Sequence, residues 1–227
     1  MRNAVIIVAG GSGTRMGAAL PKQFLQINGK AILIHTLEKF LAFDASVEIV
    51  LVMHPDHNAF WEKARQKTGF NYPVKIADGG ETRFQSVKNG IAMLDGDFLV
   101  GVHDAVRPLV SPSVIQRVYD AAAISGSAIP CIPLKESARV LRDQNSFPLD
   151  RSAIRLVQTP QVFHASILRK SYETSYKEEF TDDASVVEYA GNRIELVQGD
   201  EFNLKITTPE DFEIASILLN PQKPHLH

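Results

Sequence analysis

"AVIIVAGGSGTRMGAALPKQF", residues 4–24, joins an apolar run, Ala4 to Val8, to a segment with glycine at positions 10, 11, 13 and 17. A short unbroken apolar run bounded by turn residues is the pattern of a strand buried on both faces, as in a parallel sheet covered by helices. Glycines directly behind such a strand let backbone N–H groups approach an anion closely, and Arg15 and Lys22 add charge that Gly, Ser and Thr cannot supply. A triphosphate is one guest for that arrangement. A glycine-rich turn with two solvated cations is the other reading of the same residues.

Outward from this stretch, short β-branched runs alternate with segments of helical period. Val47 to Met53, Val74 to Ala77, Phe98 to Val102 and Ala128 to Ile132 read as further strands. Between the first two, Leu33, Leu37, Phe40 and Leu41 recur at i, i+4, i+7 and i+8 and so share one helix face. Residues 56–69, 82–94 and 111–125 repeat the theme, with Ser111-Pro112 as an N-cap followed by proline at the first helical position. Regular β–α alternation predicts a mostly parallel, doubly wound α/β sheet whose ligands sit beyond the carboxyl ends of the strands.

The alternation breaks after Ile132. Residues 133–163 are polar and hold a turn-like Asp143-Gln144-Asn145-Ser146, and they predict an extended β-arm leaving the main body at about 134–158. Helices are expected at 165–176 and 182–189, and strands at 193–197 and 204–206. A closing helix is announced by Thr208-Pro209-Glu210-Asp211, a cap, a proline and two acids in the first turn. One domain spanning 1–227, with the arm as an excursion, is the expectation for 227 residues.

The composition narrows the partners. With 24 basic against 26 acidic residues, no nucleic acid or anionic membrane surface is expected to bind. The lone Cys131 excludes an internal disulfide and reads as a small buried hydrophobe. With no apolar stretch of about 18 residues and no signal-like N-terminus, the sequence predicts a soluble cytoplasmic protein.

Named glycine loops fail against residues 10–17. No Gly-Lys-Ser/Thr triplet is present for a Walker loop. Gly11, Gly13 and Gly17 are spaced one residue too long for a dinucleotide fingerprint, and Gly10-Gly11-Ser12-Gly13-Thr14 ends on threonine where a nucleophile elbow needs glycine. Other polar clusters fall at strand ends. "DGGETRFQS" (78–86) brings Gly80, Glu81 and Ser86, "HDAVRP" (103–108) brings Asp104 and Arg107, and "NLKITTP" (203–209) brings Lys205. Each alone has a bland reading as a cap or a solvated charge, but together they line one rim of one sheet.

The ordered set G-G-x-G-x-R-M-G, P-K-Q, D-G-G-x-x-R, H-D-A-x-R-P, T-P-Q, T-D-D-A-S and N-L-K-I-T resembles the 2-C-methyl-D-erythritol 4-phosphate cytidylyltransferase family, from about Val5 to the last helix. The glycine loop by itself is shared with sugar-nucleotide and molybdopterin nucleotidyltransferases. The resemblance implies a Rossmann-like fold, an arm that forms a homodimer, and Mg²⁺-dependent transfer of a cytidylyl group from CTP to a small polyol phosphate in isoprenoid precursor synthesis. It also implies that Arg15 and Lys22 stabilise the transferring phosphorus, with the Gly11 to Gly13 backbone sharing the charge, and that Lys205 bridges both substrates. Backbone groups around Ala9, Gly10, Gly80 and Glu81, with Ser86, would select cytosine. Asp104 and Ala105 would meet the ribose or the acceptor, Asp104 also reaching Mg²⁺ through water. Arg107, Thr159 and Thr181 would meet the acceptor hydroxyls, and Arg151 and Ser137 the acceptor phosphate of the neighbouring subunit. Serine at 137 departs from the family's usual threonine and keeps the hydroxyl. An already ionised phosphate nucleophile needs no general base, which leaves His103 outside the catalytic set. Ribitol 5-phosphate is the alternative acceptor, and a non-catalytic nucleotide sensor is the alternative from another class.

Overall fold

The computed structural model describes residues 1–10 and 20–220. The chain opens with β1 (Arg2–Ala9), a 3₁₀ turn at Lys22–Phe24 and a small hairpin of β2 (Gln26–Ile27) and β3 (Lys30–Ala31). There follow α1 (Ile32–Phe43), β4 (Glu48–Met53), α2 (Asn58–Thr68), β5 (Val74–Asp78), α3 (Arg83–Ala92), β6 (Phe98–Asp104), α4 (Pro112–Ser125) and β7 (Ser127–Pro133). The second half adds β8 (Ala138–Arg142), β9 (Asn145–Leu149), β10 (Arg155–Val157), β11 (Gln161–His164), α5 (Ala165–Ser171), α6 (Asp183–Tyr189), β12 (Glu195–Gln198) and α7 (Pro209–Leu218).

Eight strands form the main sheet, in the order β10-β7-β11-β6-β1-β4-β5, with β12 paired alongside β7. Strand β1 lies parallel to both β4 and β6, β4 is parallel to β5, and β12 to β7. The period of two along β1 divides its side chains between two cores. Val5, Ile7 and Ala9 face α1, α2 and α4, where Leu37, Phe40, Trp61 and Val118 meet them. Ala4 and Ile6 face the opposite layer, with Val87 and Ile91 of α3, Leu168 of α5 and Val186 of α6. Both faces are buried, so the apolar run has no polar alternation to show.

Local chemistry sets the helix ends. The Ser111 hydroxyl accepts from the Val114 amide with Pro112 at the first position, and Gly126 closes α4 at φ 87°, where a Cβ would be strained. Thr208 and Asp211 form a reciprocal capping box on α7, as the Thr-Pro-Glu-Asp run predicts.

The arm expected at about 134–158 runs outside the main sheet over residues 134–154, with β8 and β9 paired as an antiparallel hairpin. Strand β10 pairs antiparallel with β7, and β11 lies antiparallel between β6 and β7. The polar look of "LVQTPQVF" hides this return because Gln158 and Gln161 are buried with their amides satisfied, by Asp200 and by Asp182 and Ala184 respectively. Residues 204–206 form no strand; a single ladder-like bond, from the Ile206 amide to the Val106 carbonyl, holds them. Helix α5 stops at Ser171 rather than 176. Among the described residues no helix is long and apolar enough to cross a membrane.

Candidate active site

The carboxyl ends of β1, β5 and β6 open on a cleft of about 430 Å³. Ala9, Gly10 and Lys22 line one side, Gly80, Glu81 and Ser86 another, and Asp104, Ala105 and Lys205 the floor. A second chamber of about 260 Å³, lined by Arg107, Thr159, Thr181 and Asp182, adjoins it. Asp104, Lys205 and Arg83 line both. The two volumes therefore share a charged wall.

Each wall is built by a motif. The P-K-Q turn is fastened by Gln23, which is 2% exposed and donates from Nε2 to the Ala9 carbonyl at 2.8 Å. Lys22 is thereby carried to the cleft edge. The Ala9 carbonyl thus has one of its two lone pairs engaged. Opposite, the buried Ser86 hydroxyl accepts from the Gly80 amide at 3.0 Å and donates to the Thr82 carbonyl at 3.0 Å, fixing the β5–α3 loop. A Cβ on Gly10 would stand 3.2 Å from Ser86 Oγ, tighter than an ordinary contact, so glycine keeps β1 and α3 this close.

Asp104 ends the central, fully buried strand β6. Its Oδ2 lies 3.1 Å from Lys205 Nζ and 3.2 Å from Arg107 Nε, while Oδ1 faces Arg83 Nε at 3.9 Å. Burial alone would raise the Asp104 pKa, but the charges of Arg83, Lys205 and Arg107 outweigh it and hold the carboxyl far below the usual carboxylate range. Arg107 also donates to the Asn203 carbonyl at 2.7 Å, which ties the β6 turn to the segment that delivers Lys205.

Thr159 stands beside Asp104 because β11 runs antiparallel to β6 with Gln161 opposite Val102. Its hydroxyl accepts from the Asp104 amide at 3.2 Å and pairs with His103 Nδ1 at 3.0 Å. His103 is fully buried, and its Nε2 lies 3.3 Å from the Arg107 carbonyl. Burial pushes the imidazole pKa down to about 3, over the opposing pull of Asp104. A neutral ring then donates from Nε2 to Arg107 and accepts at Nδ1, so the Thr159 proton is spent on His103. Within the chain Thr159 orients the strand end.

Two of the residues expected at the site lie elsewhere in the chain. Arg151 and Ser137 are exposed near the foot of the arm, outside both chambers, with Arg151 Nη1 donating to the Lys135 carbonyl. Gly11, Gly13 and Arg15 lie outside the described residues.

Sequence reading overlooked Arg83. It lines both chambers, and its Nη1 and Nη2 make a bidentate pair with Asp183 at 2.8 and 2.7 Å. Asp183 is fully buried and accepts a further bond of 2.6 Å from the Tyr172 hydroxyl. The signal was present in D-G-G-x-x-R and T-D-D-A-S, an arginine in one motif and two carboxylates in the other with no part assigned to them.

Among the described residues no cluster of three or more His, Cys, Asp or Glu side chains is placed to hold a metal ion. Asp104 and Glu81 are the carboxylates of the larger cleft. A hard cation such as Mg²⁺ retains waters and takes one or two carboxylates together with substrate phosphates, and this donor set fits that mode rather than an all-protein cage.

Comparison with known proteins places these features in a family. The model of the 2-C-methyl-D-erythritol 4-phosphate cytidylyltransferase family matches residues 3–221. The chain is 49% identical over 219 residues to the 2-C-methyl-D-erythritol 4-phosphate cytidylyltransferase of Phocaeicola vulgatus, covering 96% of this chain and 100% of that one. It is 38% identical to the chloroplastic protein of that name from Oryza sativa, covering 96% of this chain and 74% of that one. The crystal structure of the Francisella tularensis protein superposes with a TM-score of 0.80 at 32% identity, over 96% of this chain and 100% of the other. That of the Thermus thermophilus protein gives 0.75 at 30% identity, over 96% and 98%.

Proposed function

The chain belongs to the 2-C-methyl-D-erythritol 4-phosphate cytidylyltransferase family, and from that premise we propose how its residues carry the reaction. The enzyme transfers a cytidylyl group from CTP to 2-C-methyl-D-erythritol 4-phosphate in isoprenoid biosynthesis, releasing pyrophosphate. Members of the family use a divalent cation; we take it to be Mg²⁺.

The observation that carries the assignment of roles is the wall shared by the two chambers. CTP occupies the larger chamber with its base against Gly10, Gly80, Glu81 and Ser86, and its triphosphate toward Lys22 and the glycine segment. The methylerythritol moiety occupies the smaller chamber, near Arg107 and Thr181. The acceptor phosphate oxygen attacks the α-phosphorus across the wall, where Lys205, 42% exposed, faces both substrates. An already ionised phosphate attacks without a general base, and charge neutralisation with positioning supplies the rate. Lys22 and Arg15 stabilise the five-coordinate phosphorus. Asp104 would help hold Mg²⁺ together with the triphosphate, and the ion would supply further neutralisation of the phosphate charge.

Arg151 and Ser137 act on the acceptor phosphate of a neighbouring subunit in a two-fold homodimer formed through the arm. The exposure of Leu141 (77%) and Phe147 (48%) on the hairpin supports that interface, since a lone two-stranded ribbon cannot bury its own apolar residues. We read the chain as one cytoplasmic domain.

The test is a pyrophosphate-release assay pairing each of four nucleotides with a panel of polyol phosphates in Mg²⁺. Turnover with CTP and 2-C-methyl-D-erythritol 4-phosphate is expected. Turnover confined to ribitol 5-phosphate would overturn the acceptor, and none with any pair would favour the sensor.

A further inference from the structure

Among the described residues Asp104 is the only carboxylate on the wall common to both chambers, and its two oxygens are unequally held. Oδ2 is drawn to Lys205 and Arg107. Oδ1 faces Arg83, the one neighbouring cation that is itself anchored from behind by a second carboxylate. Its anchor is deep: Asp183 is fully buried at the start of α6, and the Tyr172 hydroxyl from the end of α5 closes on the same carboxylate. Gln161 holds the α6 N-terminus in turn, through Asp182 at 2.8 Å and the Ala184 amide at 2.9 Å. Phe84, next to Arg83, stacks on Tyr172 at 4.7 Å between ring centroids, so the neighbouring position is packed as well.

We infer that Arg83, fixed by Asp183 and Tyr172, is a positioning residue of the reaction: it sets the orientation of Asp104 and, through Asp104, the place of Lys205 between the two substrates. The assignment rests on the reading of the shared wall as the place of transfer. A planar fork held at two nitrogens leaves Nε pointing in one direction, whereas a lysine ammonium on a flexible stem defines none. Arg83 also carries the N-terminal turn of α3, the element that bears Ser86. A strut that merely held α3 would affect fold and nucleotide affinity; a positioning residue affects turnover.

Three variants separate these roles: Arg83→Lys, Tyr172→Phe, and Asp183→Asn. Each is assayed with CTP, 2-C-methyl-D-erythritol 4-phosphate and Mg²⁺ for kcat and both KM values, beside its melting temperature. Arg83→Lys, which keeps the charge beside Asp183, is expected to lower kcat at least tenfold, with the KM for CTP changed less than twofold and a smaller fall in melting temperature than Asp183→Asn. Tyr172→Phe keeps the ring and the Phe84 stack, and should lower kcat two- to fivefold in the same pattern. Asp183→Asn removes the buried half of the bidentate pair from a partly exposed guanidinium and should lower kcat and melting temperature together. Unchanged kcat in Arg83→Lys, or losses in all three that follow the melting temperature alone, would reduce Arg83 to a strut and overturn the inference. Wild-type protein inactive in the same assay would remove the reaction reading instead, so the two failures are distinguishable.

Discussion

Gln23 Nε2 donates to the carbonyl oxygen of Ala9 at 2.8 Å, joining residues on either side of the glycine segment. Gln23 is nearly inaccessible, and Phe24 beside it is buried against Phe60. The bond fixes where Lys22 enters the cleft relative to the end of β1. Gln23→Met keeps the volume and removes the donor, leaving the Ala9 carbonyl short of a partner at a cost of about 1–3 kcal/mol. Urea unfolding should register that loss, and the KM for CTP should rise several-fold. An unchanged KM would mean that the glycine segment keeps its geometry without this bond.

Lys22 lines the larger cleft on the side of Ala9 and Gly10. If it stabilises charge on the transferring phosphorus, Lys22→Ala should lower turnover by roughly 10²-fold or more, the scale for losing one preorganised electrostatic group, while thermal unfolding stays nearly constant. Lys22→Arg should rescue only in part, since a planar fork does not replace a compact ammonium. Normal turnover in the alanine variant would remove Lys22 from the mechanism.

His103 gives stability a pH dependence of known sign. Its pKa falls from 6.5 toward about 3 on folding because the ring is buried. Below pH 6.5 the unfolded chain takes up a proton that the folded chain refuses, so this contribution is complete above pH 6.5 and is lost as pH falls toward 3. The slope is at most about 1.4 kcal/mol per pH unit. Unfolding free energies from urea titrations between about pH 6.5 and 5, above the range where most carboxylates titrate, should decline in the wild type and less steeply in His103→Gln, where His35 and His57, also held down by burial, keep their own share of the slope. Parallel slopes in the two proteins would show that the ring is protonated in the fold.

Much of this architecture is written in residue patterns, and the exceptions have physical causes. Strands β1, β4, β6 and β7 are unbroken apolar runs because both faces of the sheet are covered, and α4 and α7 carry their caps in plain view. The returning strand β11 was hidden because its neighbours at the site are polar: Gln158, Thr159 and Gln161 are buried by pairing with one another's surroundings, which no hydrophobic period records. The motifs were legible as a set, but several of their residues interlock rather than point at a ligand. T-P-Q holds H-D-A through Thr159 and T-D-D-A-S through Gln161, and D-G-G-x-x-R meets T-D-D-A-S through Arg83 and Asp183. Spacing in a sequence cannot separate a clamp from a contact, because both require the same side chain at the same strand end.

Arg151 tests whether the active site is completed by a second subunit. In its own chain the guanidinium reaches the Lys135 carbonyl at the foot of the arm and neither chamber. If it serves the partner's acceptor phosphate, co-expressed Lys22→Ala and Arg151→Ala subunits should complement. In a mixed two-fold dimer one pocket combines both lesions, while the other combines intact Lys22 with an intact Arg151 from its neighbour. With equal amounts and random pairing, about half of the dimers are mixed and half of their sites are intact, so activity should recover to about a quarter of wild type under this symmetry. Each single variant should remain far below that level. Activity equal only to the average of the two variants, in preparations shown by tagged pull-down to contain mixed dimers, would place Arg151 in cis or outside the reaction altogether.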